Sequence, residues 1–250
     1  MKVVLAFLLL YFLSAPVLAQ SVAVLQHRAD SLERVPDEKA AFNLFKVIHK
    51  YHPANIYALT KCSELCSRIG NREADKKVRD SYYSAALMYA KKALNLHAED
   101  DEANVAMAIA LGRNSLTKSG REKVSAAREI RKHAELALKK NPSNFKAWHI
   151  LGKWHFEVSD LNMFERAALK VFYGGMPESS LTASINAYEK ARVLKPDFLL
   201  NYLELAKAYK RNDEPRKAVA LLHALVAFSP VTEDDPRILK EGRELLGQWK

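Results

Sequence analysis

The sequence predicts an all-α fold, a solenoid of stacked helical hairpins, on three observations. First, Pro196 and Pro230 lie 34 residues apart and the helical patterns ending at them superimpose. "SINAYEKARVLKPDF" (184–198) aligns with "AVALLHALVAFSPVT" (218–232), which sets Tyr188 on Leu222 and Ala191 on Leu225. A 34-residue period built from paired helices is the tetratricopeptide signature, and such pairs stack into an α–α superhelix. Second, 49% of the 250 residues are hydrophobic and only 8 are glycine, a balance that favours helices over a sandwich or barrel. Third, small residues recur where paired helices must approach, large apolar residues fill the gaps, and proline stops the second helix of each pair.

The elements follow in chain order. Residues 1–19 read as an export signal. Met1-Lys2 is a short positive start, Val3 to Leu13 is an apolar run of 11 residues, and Val17-Leu18-Ala19 places small residues before Gln20. The run is too short to span a bilayer comfortably. The expectation is a chain cut near Ala19 that acts in the periplasm or is secreted, with 20–250 forming one tetratricopeptide-like domain of about five helix pairs and a C-terminal capping helix.

The first pair occupies about 22–33 and 37–51, with Ala41 and Phe45 in its second helix and a stop at Pro53. The next helix runs from about Ala54 to Ile69 and ends at Gly70-Asn71. Its partner spans Lys76 to Leu96, with Ala86, Ala90 and Ala93 on the repeat grid. In the third pair Asn104 takes the slot that Trp148 fills in the fourth, Gly112 closes the first helix, and Ala137 and Pro142 end the second. Asn104 to Trp148 is 44 residues, ten beyond the period, which implies an insertion over 112–123. Trp148, Leu151, Gly152, Tyr188, Ala191 and Pro196 define the fourth pair. Trp148 to Tyr202 is 54 residues, so about twenty more are inserted near 160–180. There Leu161, Phe164, Ala168 and Phe172 recur at helical steps, and Gly174-Gly175 break the pattern. The fifth pair fits best, through Tyr202, Leu205, Ala206, Tyr209, Ala218 and Pro230, with Asn212-Asp213 at the turn and Pro215 in the next helix's first turn. A last helix over 233–248 covers the apolar edge that a repeat array otherwise leaves open.

Chemistry-bearing patterns are sparse. Cys62 and Cys66 stand four apart on one helix, where Cβ atoms are about 5–6 Å from each other, too far for a disulfide. They read as packed small apolar residues. His49 and His52 supply two ligands and nothing nearby completes a metal set. His155 falls at a packed aromatic position and reads as a buried, hydrogen-bonded histidine. No phosphate-binding loop, dinucleotide fingerprint, serine elbow or zincin helix occurs. The reading is a non-enzyme with no cofactor and no metal.

The inner wall gives the candidate binding residues. In tetratricopeptide repeats the first helix of each pair lines the concave face. The positions expected there are Lys146, His149, Lys153, Phe156 and Glu157 in the fourth repeat, and Leu200, Leu203, Lys207, Lys210 and Arg211 in the fifth, joined by Arg113 from the third. Such a wall suits carboxylates of a protein or peptide partner; the alternative is that its lysines are solvated or paired with Glu157, Glu204 and Glu214. Without Lys2 the chain has 38 basic and 29 acidic residues, a net of +9, which favours acidic partners. The basic segment Arg113, Lys118, Arg121, Lys123, Arg128, Arg131, Lys132 lacks the interleaved aromatics of a single-strand platform, which argues against nucleic acid. It leaves open an envelope-associated protein whose basic face contacts anionic lipid or glycan. The oligomeric state is not readable.

Residues 120–191 and 203–235 resemble the regulator of microtubule dynamics family. The most specific pieces are "LGKWHFEV" (151–158), "FYGGMPESSL" (172–181) and "PVTEDD" (230–235), and residues 24–100 fit more loosely. Animal members are associated with microtubules and organelle contacts. The resemblance implies the repeat fold and a scaffold role, and it supplies no catalytic residue.

Overall fold

The computed structural model describes residues 22–116 and 118–249; the export signal expected at 1–19 lies outside them. The described residues form twelve helices and no strand: α1 (22–34), α2 (Glu38–Tyr51), α3 (Ile56–Arg72), α4 (Lys76–Leu96), α5 (Asp101–Ser115), α6 (Gly120–Lys140), α7 (Phe145–Ser159), α8 (Met163–Tyr173), α9 (Leu181–Leu194), α10 (Leu199–Arg211), α11 (Pro215–Val226) and α12 (Asp235–Trp249).

Local chemistry sets the starts. Asp37, Asn55, Asp75, Asp100, Asn144, Asn162 and Ser180 each accept a hydrogen bond from the backbone N–H three residues on, satisfying donors that the first helical turn leaves free. A second recurring bond ties each of α5, α7 and α10 to the turn before it. Asn104 Nδ2, Trp148 Nε1 and Tyr202 Oη donate to the carbonyls of Ala98, Pro142 and Pro196, six residues back, at 2.9, 2.8 and 2.9 Å. Three unlike side chains in one repeat slot perform one task.

The hairpins are α3/α4, α5/α6, α7/α9 and α10/α11. Along one side α3, α5, α7, α10 and α12 pack successively, forming the inner row. The core is made where these layers meet. Phe45, Leu59, Cys62, Leu65 and Cys66 fill the N-terminal part; Leu203, Leu222, Leu225, Ile238 and Leu246 fill the C-terminal part. Both cysteines are free and buried, and burial pushes the Cys66 thiol up to about 12. Gly152 lets α7 and α9 touch: a Cβ there would lie 2.6 Å from the Tyr188 ring.

Several expectations need correction. α3 does not stop at Gly70 but continues to Arg72, because the glycine is spent on close packing, with Tyr82 Cβ 2.9 Å from where its own Cβ would be. α5 likewise passes through Gly112 to Ser115. The insertion expected over 112–123 lies partly within helices, since α5 runs to Ser115 and α6, 21 residues long, starts at Gly120. Leu203 is in the core and Leu200 packs against it, beneath α12, not on an open wall. His155 is only partly buried and its Nδ1 has no hydrogen-bond partner; the aromatic packed at this level is Trp154, which donates to Ala127 O at 2.7 Å.

The two ends of the array are joined. Arg72, closing α3, pairs with Glu38 at 2.5 Å, Glu233 at 2.9 Å and Asp234 at 3.3 Å. The Glu38 backbone N–H donates to Glu233 Oε1 at 2.7 Å, across 195 residues of sequence. Arg68 completes the cluster with Glu33 and Glu38. The "PVTEDD" segment is thus a clasp between the last repeat and the first.

Two measurements test these constraints. Gly152→Ala should lower unfolding free energy by about 1–3 kcal/mol, the usual cost of overpacking. Gly247→Ala, where a Cβ meets nothing within 4 Å, should be neutral or stabilising by up to about 1 kcal/mol. Both are read by chemical denaturation. Arg72→Ala, which leaves Glu233 and Asp234 without their cation and Glu38 with Arg68 alone, should cost on the order of 3 kcal/mol and raise the radius of gyration in X-ray scattering. An unchanged radius would show that the clasp does not hold the array's shape.

Candidate functional site

The inner row gathers charged side chains from five helices. Lys146 on α7 reaches back to Glu64 on α3 and Glu102 on α5, each at 2.7 Å. Lys153, two turns further along α7, contacts Glu157 at 2.9 Å and Glu204 of α10 at 2.7 Å. Lys207 of α10 contacts the same Glu204 at 3.0 Å and Glu241 of α12 at 2.7 Å. The result is a ladder in which acidic and basic side chains alternate across helix boundaries.

The ladder has a built asymmetry. Each lysine is held by one glutamate that solvent barely reaches and capped by one that it reaches more freely. The inner partners Glu64 and Glu204 are 11% and 8% exposed; the outer partners Glu102, Glu157 and Glu241 are 41%, 61% and 35% exposed. Burial alone would raise the Glu204 carboxyl, but Lys153 and Lys207 outweigh it and hold the group below its ordinary value. Burial opposes ionisation of Glu64 as well, and Lys146 and Lys61 overcome it. Glu102, with less compensation, is raised by burial. Burial disfavours the ammonium of Lys146, but its two carboxylates dominate and raise its pKa.

The remaining candidates are placed differently. His149 sits between α7 and α10, its Nδ1 2.9 Å from Asn201 Oδ1, with Phe198 at its edge and Tyr188 beside it. Asn201 Nδ2 donates to Tyr188 O, so its Oδ1 accepts and the ring hydrogen belongs on His149 Nδ1. Burial lowers the His149 pKa and keeps the ring neutral at pH 7. Phe156 is a platform for Arg211, whose guanidinium carbon lies 3.7 Å from the ring centroid. Arg211 also donates to Phe156 O and Ser159 Oγ and pairs with Asp160 at 3.1 Å, pinning α10 to the end of α7. Arg113 donates to Asn71 Oδ1 at 2.9 Å, and burial lowers its pKa. Lys210 is exposed and lies over the Trp249 ring.

Lys153 and Lys207 therefore share Glu204 in one network and Lys146 forms a separate rung with Glu64 and Glu102, while His149, Phe156 and Arg211 form a joint between α7 and α10, and Arg113 and Lys210 stand apart. Sequence reasoning anticipated the pairing with Glu157 and Glu204. Glu214 pairs instead with Lys217. Glu64, Glu102 and Glu241 were missed. For Glu102 a signal existed, since it occupies the same repeat position as Lys146 one repeat earlier. Among the described residues no three His, Cys, Asp or Glu side chains group as metal ligands, and no helix is long and apolar enough to cross a membrane. His49 faces Lys92 and Tyr89.

Comparison with known proteins places this architecture. The chain is 25% identical over 242 residues to Regulator of microtubule dynamics protein 1 of Bos taurus, a match covering 90% of this chain and 75% of that protein. It is 27% identical over 175 residues to the Mus musculus protein of the same name, covering 70% of this chain and 56% of the relative. The chain thus spans three quarters of the bovine relative and little more than half of the mouse one. Among solved structures, a thermophilic TPR protein of Thermus thermophilus superimposes with a TM-score of 0.64 at 14% identity, over 89% of this chain and 99% of that one, a likeness of fold alone. The family model for regulator of microtubule dynamics protein 1-3 matches residues 25–250, and the chain belongs to that family.

Proposed function

We propose that this protein is a non-catalytic scaffold, exported from the cytoplasm, whose inner-face lysines bind the carboxylates of a protein or peptide partner. The observation that carries the reading is the asymmetry of the ladder. Buried Glu64 and Glu204 fix the lysine head groups in position, so little ordering entropy remains to be lost on binding. The outer caps Glu102, Glu157 and Glu241 are partly solvated, and exposed ion pairs contribute only about 0–1 kcal/mol. A ligand carboxylate can replace such a cap at small cost. Export is supported by the apolar run Val3 to Leu13 and the small residues before Gln20.

The test uses a fluorescent oligoglutamate peptide and its anisotropy. Glu157→Gln with Glu241→Gln should tighten binding several-fold by removing the internal competitors, while the melting temperature stays nearly constant. Lys153→Met should weaken it. Equal affinity in all three proteins would overturn the carboxylate reading. Charge reversal at Lys153 and Lys207 is unsuitable, because Glu204 would then be buried among like charges.

The ladder also fixes a pH dependence. Glu204 and Glu64 have folded pKa values below their ordinary 4.5. Their contribution to stability is complete above that pH and is lost as pH falls through the lowered folded values. Glu38 and Glu102, raised by burial, act in the opposite sense, so the informative comparison is between the natural protein and Glu204→Gln, where they cancel. The variant should melt lower at pH 7 and lose less of its melting temperature on acidification below pH 4.5. Parallel curves would contradict the assignment.

A further inference from the structure

We propose that α8 is a surface-docking helix whose apolar face seats in the interface of an anionic lipid bilayer. At 100° per residue Met163, Phe164, Ala167, Ala168, Val171 and Phe172 share one side of this helix. No residue of α8 is buried. Met163, Phe164, Val171 and Phe172 are 74%, 79%, 76% and 68% exposed, a contiguous apolar stripe of the kind that marks an interaction site.

The helix is nonetheless firmly built. Asn162 and Glu165 form a reciprocal capping box at its start, and Gly174 closes it in the left-handed conformation at φ 75°. Its polar side and its ends are tied down. Arg166 donates to Leu161 O and Val158 O. Arg128 of α6 donates to the carbonyls of Tyr173 and Gly175, and Arg131 to that of Glu178. Two arginines of the basic segment thus serve to fasten the insertion, and the fastening leaves the apolar side outward.

Charge identifies the occupant. The C-terminal end of α8 lies against the start of α6, where a Cβ on Gly120 would sit 3.4 Å from Tyr173 Oη. Lys118, Arg121 and Lys123 are exposed there, with Glu122 as the one acid among them, and Lys170 is exposed on α8 itself. An apolar stripe beside a basic collar matches an interfacial helix on anionic lipid, where the stripe enters the acyl boundary and the cations meet head groups. A second copy fits less well. A two-fold contact uses the same patch on both copies, and here it would bring two basic collars into one interface.

The experiment uses the full chain with Phe164→Cys labelled by an environment-sensitive nitrobenzoxadiazole dye. Cys62 and Cys66 are fully buried, so the label goes to position 164. Vesicles of phosphatidylcholine and phosphatidylglycerol in equal parts should produce a blue shift that salt weakens and that pure phosphatidylcholine vesicles do not match. Adding Phe172→Ser should weaken the response roughly ten-fold without moving the melting temperature, because the side chain is exposed. Three results would overturn the proposal: no shift although the chain co-sediments with the vesicles through another segment, an equal shift on both lipid compositions, or a shift that grows with protein concentration before any vesicle is added.

Discussion

The clasp at Arg72 is the constraint on which the rest of the molecule depends. In a repeat array each hairpin contacts only its neighbours, so small rotations accumulate along the stack and its curvature is soft. Here one guanidinium is shared by Glu38, Glu233 and Asp234, and a backbone N–H at the start of α2 is held by the segment preceding α12. The Glu38 side chain is fully excluded from solvent, and burial raises its pKa despite two arginines. Removing such charges from water costs as much as their attraction returns, so the cluster contributes register more than net stability. It specifies how far α3 stands from α12.

That distance decides what the inner row can be. Lys146 meets Glu64 and Glu102 only because α3, α5 and α7 keep their spacing, and Lys207 meets Glu241 only because α12 lies beside α10. The joint of His149, Asn201 and Tyr188 sets the α7–α10 angle from within the core. Arg211, resting on Phe156 and bonded to its carbonyl, sets it from the helix ends. Residues that look from sequence like a single binding wall therefore divide into those that position the helices and those that carry the charge ladder.

The repeats were legible because one-dimensional signals fix them. Proline spacing gave the period, alanine and glycine gave the close approaches, and the 54-residue offset placed the insertion whose helix is α8. Gly70 misled because a glycine that ends a helix and one that admits a neighbouring tyrosine look alike in sequence. The insertion near 112–123 was legible only as extra length, because length alone does not distinguish a loop from a longer α6. Within the site, Glu157 was legible as an i,i+4 partner of Lys153. The Lys146–Glu64 contact spans 82 residues and the Glu38–Glu233 bond 195. Both depend on the superhelical path, which no local pattern encodes.

The distribution of polarity over the two surfaces has a further consequence. On the inner row, the lysines and glutamates of the ladder satisfy one another, and the apolar residues nearby, such as Leu203, are drawn under α12. Apolar contact with anything outside the chain must then come from elsewhere, and α8 presents four large apolar side chains on a rigidly capped helix. The inserted segment adds this surface without altering the repeat, since α7 and α9 still pair directly behind it. The charged ladder of the inner row and the exposed apolar side chains of the insertion thus occupy separate structural elements. Because α8 shares no core with the ladder, change in one need not disturb the other, an independence that a single closed core does not allow.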